Sequence, residues 1–138
     1  MDLPKDNNQL DQIFINGSEP SIEEFEGEYW VAMLTGKIPN FRWAGHKKRF
    51  SDEDVDKTGK NIILSGITFG HFNVEPGRCD DLDDLQAVIL NYGNNKNLLT
   101  RSVRDKIRTI ENGWYLGRYY SDIDNSLQFR GYFSLERK

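Results

Sequence analysis

The sequence predicts a mainly β fold, a single antiparallel up-and-down barrel of about seven to eight strands preceded by a short N-terminal helix. Three observations predict it. From Gly27 onward the chain breaks into runs of six to twelve β-branched, aromatic and aliphatic residues. The runs are separated by Gly, Asn, Asp and Pro, which favour turns. In the last run Leu127, Phe129, Gly131, Phe133 and Leu135 alternate with Gln128, Arg130, Tyr132, Ser134 and Glu136, which puts the first set on the core face of one strand. A meander of this size loses its exposed edges by closing on itself, so a barrel is favoured over a sandwich.

Taken in order, residues 1–17 are polar, with one apolar patch at Ile13-Phe14-Ile15, and read as a flexible acidic arm ahead of a barrel domain over 18–138. Ser18-Glu19-Pro20-Ser21-Ile22-Glu23-Glu24-Phe25 carries a Ser cap, a first-turn Pro and acids that complement a helix N-terminus, which predicts about two helical turns. Strands are expected near 28–36, 41–50, 60–75, 85–92, 97–109, 113–121 and 126–137, the third run being two strands broken at Gly66 or Gly70. Asn112-Gly113 is the sharpest turn signal, since both residues tolerate the positive φ of a tight hairpin.

Composition bounds the function. At 138 residues, with 37% hydrophobic and 12% aromatic content, the chain supports one core. It has no run of about 18 apolar residues and no basic-then-apolar leader, so a cytoplasmic protein without a membrane partner is expected. The lone Cys79 makes no internal disulfide and reads as a passive thiol in a reducing compartment. The formal charge of −4 disfavours nucleic acid, although basic residues concentrate after Arg101.

Phe25-x-Gly27-x-Tyr29-Trp30, entering the first strand, resembles the opening of calycins, the lipocalins and fatty-acid-binding proteins. The C-terminal half, from Arg104-Asp105 through Tyr115-Leu116-Gly117-Arg118 to Phe133-Ser134-Leu135-Glu136-Arg137, is similar to an uncharacterised bacterial family of lipocalin-like domains with a Gly-x-Trp-x-Glu motif. Here that motif reads Gly27-x-Tyr29-x-Val31, with Trp30 displaced by one position. The resemblance implies a barrel with a cavity and brings no catalytic residues.

The resulting functional expectation is a module binding a small, partly apolar or amphipathic and possibly anionic ligand inside the barrel. Trp30, Met33, Trp43, Phe69, Phe72, Trp114 and Tyr120 are candidate walls. Arg104, Arg118 and Arg130 are candidate anchors, because a guanidinium pairs bidentately with a carboxylate. Trp114, Leu116, Arg118 and Tyr120 share one face of their strand, setting an Arg among apolar neighbours. The competing reading makes the aromatics plain core and the arginines surface, and the protein a partner-binding domain acting through its exterior.

An enzyme ranks last, since no phosphate loop, nucleophile elbow or Ser/His/Asp spacing is present. His46 and His71 are the sole histidines, without a spacing that completes a metal site. Asp80, Asp81, Asp83 and Asp84 lack the Gly turn and terminal Glu of a Ca²⁺ loop and read as solvated acids. No cofactor is assigned.

Overall fold

A computed structural model describes residues 2–53 and 56–138. Eight antiparallel strands pair in chain order and close into a barrel: β1 Gly27–Met33, β2 Lys47–Glu53, β3 Asp56–Ile63, β4 Ile67–Cys79, β5 Leu85–Asn91, β6 Val103–Glu111, β7 Trp114–Ile123 and β8 Ser126–Arg137. The seam joins first strand to last, with Val31 opposite Leu135 and Met33 opposite Phe133. Closure satisfies the backbone groups an open sheet would expose at its edges.

Several strand limits differ from the sequence expectation. The 41–50 run begins with a short 3-10 turn, Arg42–Ala44, that ends at Gly45 with φ +71°, and the strand proper starts at Lys47. The 60–75 run does split, with the turn at Leu64–Gly66, where Leu64 and Gly66 both have positive φ. Residues 92–102 form a loop tied by Asn97, whose side-chain amide donates to Tyr92 O and His71 O, so β6 begins at Val103. Gly113 takes φ +75°, while two consecutive positive-φ residues occur at Asp83-Asp84 in the β4–β5 connection and at Asp124-Asn125 in the β7–β8 turn.

The simple alternation expected for β8 is interrupted. Tyr119 lies opposite Gly131 and Tyr120 opposite Phe129, so Arg130 is an extra residue, a β-bulge. Phe133 and Leu135 keep the inward face, while Phe129 is shifted outward to pack with Tyr132 and Leu116.

The N-terminal helix sits elsewhere than predicted. Residues 18–25 form only a 3-10 turn at Ile22–Glu24, with Ser21 and Glu24 capping each other. The segment read as a flexible arm instead holds α1, Asn7–Asn16, capped by Asp6, which accepts from Gln9 N. Leu10 and Phe14, one turn apart on α1, are buried against Ala87, Cys79, Leu116 and Tyr132 on the outside of the barrel. Arg108 fastens the helix C-terminus by donating to Phe14 O and Gly17 O.

The barrel therefore has two cores. The interior is filled at one end by an aromatic plug, where Phe25 lies 4.9 Å from Tyr115 and 5.0 Å from Phe50 between ring centroids. The second core lies outside, between α1 and strands β4 to β8.

Candidate ligand site at the barrel mouth

Above the aromatic plug the interior turns polar. Lys48, Asn61, Tyr92 and Asp105 meet in the barrel, each at most 4% exposed. Their positions follow from strand parity: Lys48 and Phe50 lead inward at alternate positions of β2, His46 just ahead of the strand keeps the same parity, and Asp105 and Ile107 lead inward on β6. Lys48 Nζ donates to Tyr92 Oη at 2.6 Å and to Asn61 Oδ1 at 2.7 Å, and lies 3.4 Å from Asp105 Oδ2. Tyr92 Oη also accepts from Asn61 Nδ2 at 2.9 Å and donates to Asp105 Oδ2 at 3.1 Å. Burial pushes the Lys48 ammonium down and the Asp105 carboxyl up, each towards neutrality, while their mutual attraction opposes both.

His46 completes the network with one nitrogen only. Its Nε2 lies 3.1 Å from Asn61 Oδ1, an acceptor already receiving from Lys48, so Nε2 carries the proton. Burial, reinforced by the nearby Lys48 charge, lowers the imidazole to about 4 and keeps it neutral. Nδ1 is then a bare acceptor, and it is the one buried side-chain polar atom without a partner among the described residues.

His46 borders a cavity of about 100 Å³. Its walls are apolar, from Val31, Met33, Phe69, Val103 and Phe133, and its floor is the network of Lys48, Asn61, Tyr92 and Asp105. Ile38 and Thr100, from the loops after β1 and β5, border its opening. Drug-sized ligands occupy roughly 300–1,000 Å³, so this space takes a few heavy atoms, or the tip of a longer molecule. The other end of the interior is filled by the aromatic plug around Phe25, Phe50 and Tyr115.

Of the walls and anchors nominated from sequence, Met33 and Phe69 border the cavity, while Trp30, Trp43, Phe72, Arg104, Trp114, Arg118, Tyr120 and Arg130 do not. Trp43 is 81% exposed on the Arg42–Ala44 turn. Trp30 faces out of β1, with Arg42, Lys47 and Lys138 around its ring at 4.6, 5.6 and 5.2 Å. Arg104 donates to Arg101 O and lies 3.5 Å from Asp122, and Arg130, exposed, bonds Ser121 and Gln128. Trp114 is half-buried near Glu136 and Arg137, at the barrel end away from the cavity.

Arg118 is buried, but on the outer face beneath α1. It donates to Asp11 Oδ1 at 2.7 Å, Asp81 Oδ2 at 3.0 Å and Tyr120 Oη at 2.8 Å, with Tyr132 Oη also on its Nη1, and stacks over the Phe129 ring at 4.0 Å. Four of its five N–H donors are thus engaged in fastening the helix and the 80–84 loop to the barrel. The parity of β7 decides this: Tyr115 and Tyr119 point inward, so Trp114, Leu116, Arg118 and Tyr120 point outward.

The acidic loop is also put to structural use, with Asp84 pairing Arg78 at 3.3 Å and Asp81 serving Arg118 and Tyr120. Burial pushes the Cys79 thiol up to about 11, leaving it protonated at neutral pH. No group of three His, Cys, Asp or Glu side chains suited to a metal occurs among the described residues.

The sequence reading missed Lys48, Asn61, Tyr92 and Asp105. A signal for two of them was present, because Lys48 shares the parity of Phe50 and Asp105 that of Ile107. A charge on the apolar face of a strand marks a buried site. Comparison with family models, with curated proteins and with solved structures returns no match.

Proposed function

We propose that the barrel is a binding module for a small ligand, which seats a polar hydrogen-bond donor against the floor of the mouth cavity and an apolar body against its walls. The observation that carries this is the unpartnered His46 Nδ1 beside a cavity whose other buried polar atoms are paired. An uncompensated buried acceptor costs roughly 1–3 kcal/mol, which a donor from a ligand recovers. A buried Lys–Asp pair is also seldom the most stable filling for a core, so a functional role accounts for its retention. The donor requirement favours phenols, alcohols and primary amides over the carboxylate-headed ligands expected from the arginines.

Titration of the isotopically labelled protein with phenol, small alcohols and benzamide, followed by NMR, tests this reading. Shifts should concentrate at Val31, Met33, His46, Phe69 and Phe133. Met33→Trp, which fills the cavity, should abolish them, and His46→Leu should weaken binding about tenfold, one lost hydrogen bond. If every probe leaves these resonances in place while the protein remains folded, the cavity is only a packing defect.

A further inference from the structure

In an up-and-down barrel, alternate connections lie at the same end. The connections after β1, β3, β5 and β7 therefore share the end that carries the cavity mouth. Every large hydrophobic residue that is exposed among the described residues belongs to this end. Trp43 is 81% exposed in the β1–β2 connection, and Leu98 and Leu99 are 88% and 92% exposed in the β5–β6 loop. Leu64 and Ile67 flank the β3–β4 turn, Ile123 and Leu127 the β7–β8 turn, and Ile38 stands at the mouth. Single exposed apolar residues are ordinary, but their confinement to one end of the molecule is not.

Charge follows the same axis. The connections at the mouth carry Lys37, Arg42, Lys96 and Arg101 against one acid, Asp124. The opposite end carries Asp80, Asp81, Asp83 and Asp84 in the β4–β5 loop, and Glu19, Glu23, Glu24 and Glu26 ahead of β1. A chain of net charge −4 thus has a local basic excess, four cations against one acid, in the connections where its apolar side chains protrude.

We infer that the mouth end docks on an anionic lipid surface, with Trp43, Leu98 and Leu99 inserting among the headgroups and Lys37, Arg42, Lys96 and Arg101 facing lipid phosphates and carboxylates. Trp suits the boundary between water and hydrocarbon, because its ring is apolar while its N–H stays hydrated. The mixture of protruding apolar groups and surrounding cations is the requirement for lying on a membrane, and it needs no spanning segment. The eight acids at the far pole repel the same surface and so impose one orientation, mouth towards lipid. The inference stands whether or not the cavity takes a ligand.

Co-sedimentation with vesicles tests it. The full chain should pellet with vesicles of equal parts phosphatidylcholine and phosphatidylserine and remain in solution with phosphatidylcholine alone. Raising the salt should release it, and tryptophan emission should shift to the blue on binding. Leu98→Ser with Leu99→Ser, both exposed and so without cost to folding, should lower the bound fraction about tenfold, and Trp43→Ala should remove most of the blue shift. Absence of pelleting at low salt overturns the inference, as does equal binding by the double variant. A concentration-dependent dimer that forms without lipid and disappears in the double variant also overturns it, assigning the rim to a second copy of this chain.

Discussion

Single side chains decide which face of each strand is the interior. On β7 both parities look apolar, because the outer face lies under α1 and is buried too, so alternation alone does not choose between them. Gly117 does choose: a Cβ there would stand 2.3 Å from Phe133 Cζ, so the inward set is Tyr115, Gly117 and Tyr119. His46 carries the clearest solution signature. Its imidazole titrates near 4 in the folded protein and near 6.5 when exposed, so below pH 6.5 the unfolded chain takes up a proton that the folded one refuses. Stability contributed by His46 is complete above pH 6.5 and drains away as the pH falls towards 4, by up to about 3 kcal/mol. Urea denaturation at stepped pH should show this fall, and His46→Gln should flatten it between pH 6.5 and 5. Glu28, held down to about 2 chiefly by Arg49 and then Lys138, loses its contribution only in more acid solution, so the two windows separate.

Elements show where sequence reasoning succeeded and where it could not. The strands and their order were legible, since turn residues and β-forming runs are local signals, and Gly66 and Asn112-Gly113 are turns in the structure. The helix was not. Its apolar stripe is short, essentially Leu10, Ile13 and Phe14, within a polar segment, and its stability comes from a barrel face that only tertiary structure supplies. Arg118, nominated as a ligand anchor, is better tested as the fastening of that helix. Arg118→Ala should raise hydrogen exchange across residues 7–16 and lower stability by about 1–2 kcal/mol, a modest figure because Asp11 and Asp81 are partly exposed. Ligand-induced shifts at the mouth should be unchanged. The bulge at Arg130 was equally hidden, as nothing in the run from Leu127 to Leu135 distinguishes an inserted residue from a paired one.

At the scale of the whole molecule the barrel is a graded object, with an aromatic plug at the acidic end, an ionic layer in the middle and an apolar-rimmed opening at the basic end. The ionic layer sets a balance that paired variants can measure. Lys48→Met leaves Asp105 buried without its cation and should cost about 3–5 kcal/mol, whereas Lys48→Met with Asp105→Leu should be neutral or stabilising. Chemical denaturation of both variants checks the sign. The layer that seats the ligand would then be a stability cost that the apolar cores offset. Closure of β1 on β8 has a kinetic consequence as well. The two strands farthest apart along the chain must find each other before the cylinder is complete, so forming their ladder carries the largest loop-closure cost of any pairing here. Refolding should accordingly be slow for a chain of this length, and weakening that one ladder should leave the hairpins able to form while denying them a common interior.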